Sequence, residues 1–320
     1  MKKIAVWVAG LVATAMVGLF VLVLVRWDRT FDAPYPAIQA STDSAVIARG
    51  RYLAYGPAHC ASCHVAPADT AALRAGAEPP LAGGHVFAIP PGNFYVRNLT
   101  PDSATGIGRR SDAELARILR HGVRADGRAA MPFMTAQQAS DEDLVALISF
   151  LRSQPPVRNA VPDHEPTLLG KAVLAFAITP TGATSAPPAA TPQGATVERG
   201  DYLANGLAAC VGCHTARNMM TGEFTGPAFA GGAVFEVAGD PTRELVTPNL
   251  TADTATGRIA RWSEDDFVAR FRAPAAMPET IMPWAFFGKM SDEDLRAIYR
   301  YLRSLPPVAN ETGPSIRARA

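Results

Sequence analysis

The sequence predicts an all-α protein, with two tandem small helical domains placed after an N-terminal transmembrane helix. Three observations carry that expectation. Residues Ile4 to Val25 form an uninterrupted apolar stretch, and the two halves of the remaining chain match each other at an offset of about 150 residues. Ser111, Ser140, Ser263 and Ser291 each precede an acidic residue three positions on and open an apolar run of helical period, whereas strand signals are weak throughout.

Composition sets the outer bounds. With 320 residues, 48% hydrophobic and 18% charged, the chain is too apolar for disorder and long enough for about two domains. Lys plus Arg total 30 against 29 Asp plus Glu, with no long run of either sign, which argues against nucleic acid as the main partner. The 4 cysteines form two pairs, each followed at once by a histidine, so none is left over for a structural disulfide.

The first element, residues 1–33, reads as a membrane anchor. Lys2 and Lys3 precede the apolar stretch, and Arg26, Trp27, Asp28 and Arg29 end it. As a helix its 22 residues reach about 33 Å, enough for a hydrocarbon core of roughly 30 Å. A cleaved signal peptide has a shorter apolar region and a small-residue ending. Neither is present here, and Trp27 with its flanking arginines suits the membrane interface, so a retained anchor is expected. The flanking charges balance and leave the orientation open.

The two domains are expected over residues 40–158 and 195–309. Arg49-Gly50-Arg51-Tyr52-Leu53-Ala54 matches Arg199-Gly200-Asp201-Tyr202-Leu203-Ala204, and Ala82-Gly83-Gly84 matches Ala230-Gly231-Gly232. Asn98-Leu99-Thr100 matches Asn249-Leu250-Thr251, Met131-Pro132 matches Met282-Pro283, and Ser140-Asp141-Glu142-Asp143-Leu144 matches Ser291-Asp292-Glu293-Asp294-Leu295. The last helices follow from Leu144, Leu147, Ile148 and Leu151, and from Leu295, Ile298, Tyr299 and Leu302, each run stopping at a Pro-Pro pair. Long loops bearing Gly and Pro should separate the cysteine motif from these helices.

Between the domains, residues 159–194 are rich in Pro, Thr and Ala and read as a linker. Its apolar segment Leu168 to Ile178, about 16 Å long as a helix, is too short to span a bilayer. It is either a short helix packed on one domain or a docking element for a partner or the membrane surface. Residues 310–320 form a tail.

Cys60-Ala61-Ser62-Cys63-His64 and Cys210-Val211-Gly212-Cys213-His214 fit Cys-x-x-Cys-His, the attachment sequence for c-type haem. On one helical turn the two thiols lie on the same side and can form thioethers to the haem vinyls, while the histidine turns its imidazole to the iron. A thioredoxin-like dithiol or a zinc site is the alternative chemistry. The adjacent histidines, the weak strand signals and the separation of the pairs into two repeats argue against both. Two covalently bound haem c groups are expected, held by Cys60, Cys63, Cys210 and Cys213. Haem is attached outside the cytoplasm, so the domains belong in the periplasm, anchored to the inner membrane.

His64 and His214 each supply one axial ligand. Methionine is the usual second ligand in cytochromes c. The candidates are Met131 and Met134 in the first repeat and Met219, Met220, Met277, Met282 and Met290 in the second. Only Met131 and Met282 correspond, each ten residues before the first Asp of Ser-Asp-Glu-Asp, and these are the expected ligands. His85 and His121 face Ala233 and Ala273, so neither is expected to ligate. His59 and His164 also lack partners and are expected to be solvated. Arg110 and Trp262 stand at matching positions, where either could hydrogen-bond a haem propionate or simply occupy the rim.

At these residues the chain resembles the tandem cytochrome c domains of bacterial membrane-anchored cytochromes, above all the cytochrome subunits of periplasmic alcohol, gluconate and related dehydrogenases. The resemblance covers Ala45 to Val157 and Thr196 to Val308. It implies haem binding at Cys60, Cys63, His64 and Met131 and at Cys210, Cys213, His214 and Met282, with electron transfer as the activity. It also implies that the first and last helices of each domain cross, with Gly50 and Gly200 allowing close approach. Many such subunits carry three haem domains and often a C-terminal membrane segment, whereas this sequence has two domains and an N-terminal anchor.

The expected function is transfer of single electrons from a quinol-oxidising complex or dehydrogenase to a soluble cytochrome or terminal oxidase, with no catalytic residues of its own. A di-haem peroxidase is the alternative. It would need an iron with a releasable sixth ligand and an acid-base group above it, whereas both repeats offer a methionine.

Overall fold

The computed structural model describes residues 2–218 and 221–319. Helix α1 (Lys2–Arg26) is exposed along its length except at Val23. By length and composition it can cross a membrane, a test that a signal sequence at the same place would also pass.

The first repeat contains α2 (Ser44–Tyr55), α3 (Ala61–His64), α4 (Thr70–Arg74), strands β1 (Val86–Ile89) and β2 (Gly92–Tyr95), α5 (Asp112–His121) and α6 (Asp141–Ser153). Strand β3 (Glu165–Pro166) and α7 (Leu168–Phe176) follow. The second repeat contains α8 (Val197–Asp201), which runs on as a π-helical turn over Tyr202–Leu207, then α9 (Cys210–His214), β4 (Val234–Val237), β5 (Asp240–Val246), α10 (Glu264–Arg272), α11 (Trp284–Phe287), α12 (Asp292–Ser304) and β6 (Ile316–Ala318).

Each core is built where the first helix crosses the last. A Cβ on Gly50 would lie 1.8 Å from the Ala146 carbonyl oxygen, and one on Gly200 would lie 2.0 Å from that of Ala297. The missing side chain lets α2 lie against α6, and α8 against α12, at backbone contact. Leu53, Leu144 and Ile148 are fully buried in the first repeat, and Leu203, Leu295 and Leu302 in the second. Buried side chains of both repeats join in one continuous apolar cluster.

The all-α expectation fails. Each repeat carries a three-stranded antiparallel sheet, ordered β1-β2-β3 and β4-β5-β6, so the fold is mixed α and β. In each sheet two strands form a hairpin, and the third comes from far along the chain. Asn93 pairs with Glu165, and Leu245 pairs with Ile316. Strands of two to seven residues are too short to show a period of two, and pairing partners some 70 residues apart leave no local signal. Pro90 and Pro91 also make the first hairpin read as a loop. The linker and tail regions thus each supply a strand.

Two of the four serine caps are full capping boxes, Ser111 with Glu114 and Ser263 with Asp266. At α6 and α12 the serine accepts from the backbone N–H of Asp143 or Asp294, but these carboxylates turn to other partners. Asp143 is held by Arg49 and by Tyr202 of the other repeat, and Asp294 by Arg199 and Tyr52.

Candidate haem sites

The residue before each first cysteine is in the left-handed region, His59 at φ 37° and Ala209 at φ 47°. Neither is glycine, so both repeats hold the same uncommon conformation where the cysteine turn begins. All four thiols are free, and Cys60 and Cys210 are pushed up to about 12 by burial. A redox dithiol needs a lowered thiol, and the opposite is found here. Among the described residues no three His, Cys, Asp or Glu side chains gather as a metal site of the kind zinc takes. Unpaired thiols one turn apart beside an imidazole with a free Nε2 are the donor set that covalent haem attachment uses.

The imidazoles are oriented alike. His64 Nδ1 donates to the Arg97 carbonyl at 2.8 Å, and His214 Nδ1 to the Pro248 carbonyl at 3.2 Å. Because a carbonyl only accepts, Nδ1 carries the proton and Nε2 keeps its lone pair for a metal. Burial lowers both histidines to about 4, which keeps them neutral at physiological pH.

Two landmarks of the repeat support this arrangement. Gly83 N–H donates to the His64 carbonyl and Gly231 N–H to that of His214. Both glycines have positive φ, and a Cβ on Gly83 would fall 2.5 Å from the Arg97 carbonyl, on Gly231 2.4 Å from Pro248 backbone. Only glycine lets the chain pass between the histidine and the loop carbonyl that orients it. Asn98 donates to the Val157 carbonyl and to Thr105, and its Oδ1 accepts from Thr100 twice. Asn249 does the same with Val308, Thr256 and Thr251. These buried amides tie the segment after the last helix to the loop carrying the histidine's acceptor, and all their polar atoms are matched.

Met131 and Met282 start the same tight turn, with Phe133 N–H on the Met131 carbonyl at 2.7 Å and Trp284 N–H on that of Met282 at 2.8 Å. Met131 lines a cavity of about 200 Å³ together with Arg97, Arg124, Arg128 and His164. Met282 packs half-buried against the core. Met290 is 2% exposed and fills the core, while Met219 and Met220 lie outside the described residues. Arg110 is exposed and pairs with Glu114, whereas Trp262 packs on the core and its carbonyl accepts from Tyr299.

Two histidines read as solvated have structural partners instead. His59 packs edge-on against Phe287 of the other repeat, ring centres 5.5 Å apart. His164 Nδ1 accepts from Tyr95 N–H and stacks against Phe94. The cavity arginines were also missed, because the repeat comparison finds only what both copies share.

Residues 45–151 match the family described as cytochrome c oxidase, cbb3-type, subunit III. The chain is similar to cytochromes c over both repeats. It is 35% identical over 320 aligned residues to the cytochrome c subunit of a quinone-dependent alcohol dehydrogenase from Gluconacetobacter polyoxogenes, covering 90% of this chain and 64% of that one. The cytochrome c subunit of gluconate 2-dehydrogenase from Pantoea cypripedii is 32% identical, over 82% of this chain and 60% of its own. A protein described as a di-haem cytochrome c from Cereibacter sphaeroides is 29% identical, over 78% and 82%. The chain thus spans a little under two thirds of the dehydrogenase subunits it resembles. Covalently bound haem c is the cofactor of such domains, and the residues present here fit it.

Proposed function

We propose that the chain is a membrane-anchored di-haem cytochrome c that relays single electrons and has no catalytic residues. The observation that carries this is the duplicated histidine: in both repeats the imidazole next to a free cysteine pair is buried, neutral and held by Nδ1 on a backbone carbonyl. Cys60 and Cys63 would hold one haem and Cys210 and Cys213 the other, with His64 and Met131, and His214 and Met282, supplying the iron ligands. Bound haem supplies a one-electron couple tuned by axial ligand, burial and nearby charge.

The chain's own residues position that couple. The Arg97 and Pro248 carbonyls fix ring orientation and raise ligand basicity. The inter-repeat contacts hold the two cysteine motifs in one rigid unit, because His59, next to Cys60, packs on Phe287, and Thr135 of the first repeat donates to the Leu207 carbonyl, three residues before Cys210. With α1 as anchor, both repeats lie in the periplasm against the inner membrane. The donor is a dehydrogenase or quinol-oxidising complex, as the dehydrogenase-subunit relatives suggest, and the acceptor a soluble cytochrome or terminal oxidase.

The test is a pyridine haemochrome count with absorption spectra of the purified chain and of Met131→Ala and Met282→Ala. Two haems per chain are expected, with the far-red sulfur-to-iron band halved by each substitution. One haem, or high-spin iron that reacts with peroxide in the unaltered chain, would overturn the relay and favour the peroxidase.

A further inference from the structure

The apolar segment after the first repeat supplies none of the cysteines or iron-ligand candidates, though Leu174 and Ile178 line the Met131 cavity, and it is fastened at both ends. At its start, Thr167 N–H donates to the Pro91 carbonyl, and a Cβ on Gly170 would lie 1.8 Å from that same oxygen. Helix α7 is therefore seated directly on the β1–β2 hairpin, beside β3. At its end, two arginines from the exit of α1 take one carbonyl in the last turn of α7 and one just past it: Arg26 Nε donates to Ala175 O at 3.3 Å and Arg29 Nη2 to Ile178 O at 3.0 Å. Cations at a helix C-terminus also complement its dipole. Lys171 sits over the Trp27 ring at 5.0 Å, and Arg26 over the Phe176 ring at 5.9 Å. The helix is clamped between the end of the apolar helix and the first repeat.

What this clamp leaves outward is apolar. Leu168, Leu169 and Phe176 are 55%, 57% and 46% exposed. With Ala172 they fall at i, i+1, i+4 and i+8, one stripe of a helix, while Gly170 and Leu174 face the protein on the other side. A stripe of large apolar side chains costs free energy in water unless something covers it. Its position says what does. The stripe lies on a helix bonded to the last turn of α1 and flanked by Arg26, Arg29 and Lys171, the arrangement of a segment lying in the headgroup boundary with cations among lipid phosphates.

We infer that α7 is a second membrane contact, an interfacial helix that seats Leu168, Leu169 and Phe176 in the bilayer surface. The inference rests on α1 spanning the membrane, as proposed above. One transmembrane helix fixes only a point of attachment, whereas a span plus a surface helix fixes orientation. The first repeat, with its Met131-lined cavity, is thereby held facing the membrane.

The test uses the full haem-loaded chain in vesicles of phosphatidylethanolamine and phosphatidylglycerol, with nitroxide labels at Leu169→Cys, Phe176→Cys, Val12→Cys in α1 and Phe224→Cys on the second repeat. Collision with oxygen, which enters lipid, is compared with collision with a water-soluble nickel chelate. The expected result is an oxygen-to-nickel ratio several-fold higher at 169 and 176 than at 224, and highest at 12. Ratios at 169 and 176 equal to that at 224, with 12 still high, would overturn the surface helix and leave the anchor standing. A low ratio at 12 as well would overturn both.

Discussion

The Tyr52 hydroxyl donates to Asp294 Oδ2 at 2.5 Å across the boundary between the repeats, and the Ser291 N–H donates back to the same hydroxyl at 3.0 Å. The contact is repeated in the opposite sense, with Tyr202 on Asp143 at 2.7 Å and Ser140 N–H on Tyr202 at 2.9 Å. Each tyrosine thus reaches from the first helix of one repeat to the N-terminus of the last helix of the other. The carboxylates are 2% and 3% exposed, and each is also paired with an arginine of its own repeat, so the buried charges are matched from both sides.

Removing either hydroxyl should therefore loosen the boundary without unfolding a repeat. Tyr52→Phe and Tyr202→Phe are each expected to cost about 1–3 kcal/mol, since the first leaves the buried Asp294 Oδ2 short of its tyrosine donor and the second leaves the buried Ser140 N–H without its acceptor. The double variant should unfold in two separated calorimetric transitions where the parent shows one. A single unshifted transition in the double variant would show that the tyrosines do not couple the repeats.

The two proposed haem sites should differ in potential because their charges differ. Arg97, Arg124 and Arg128 line the Met131 cavity, with Asp126 paired to both Arg124 and Arg128. The matching second-repeat position to Arg97 is Pro248, and counting back equally from Met282 reaches Ala275 and Glu279. Positive charge favours the reduced iron, so the first haem is expected to be the stronger oxidant. In a redox titration Arg128→Gln should lower the upper midpoint by tens of millivolts and Glu279→Gln should raise the lower one. Movement of the lower midpoint by Arg128→Gln would reverse the assignment.

Acid sensitivity should centre on His164. Burial, followed by Arg97 and Arg124, lowers it from 6.5 to about 4, and its Nδ1 accepts from Tyr95 N–H, which requires the neutral ring. With the folded value depressed, the unfolded chain takes up the proton first as pH falls. The stability contribution is complete above 6.5 and drains away towards about 4. Discounted for partial exposure, the loss is roughly 1–2 kcal/mol. Denaturant midpoints for His164→Gln should fall less steeply over this window than those of the parent, and parallel curves would count against the mechanism.

The haem-attachment pattern, the repeat and the helix starts were legible because each is written in neighbouring residues. A cysteine pair with its histidine lies on one helical turn, and a capping serine lies three residues from the N–H it accepts. The shared Gly83 and Gly231 were visible as a match, though their reason, a backbone crossing against Arg97 and Pro248, was not. The matched methionines were chosen by correspondence alone, since a lone methionine in a loop reads as core filler.

Pairings between distant segments were decided only by folding. Glu165 and Ile316 become strand residues because hairpins far away in sequence offer them an open edge, and two or three residues alone have no strand period to detect. The same holds for Tyr52 against Asp294, for Arg26 and Arg29 on the end of α7, and for three arginines gathered at one methionine. Local chemistry is encoded by spacing along the chain. Sheet edges, helix clamps and charge clusters arise from which surfaces meet, and burial of the two cores sets that.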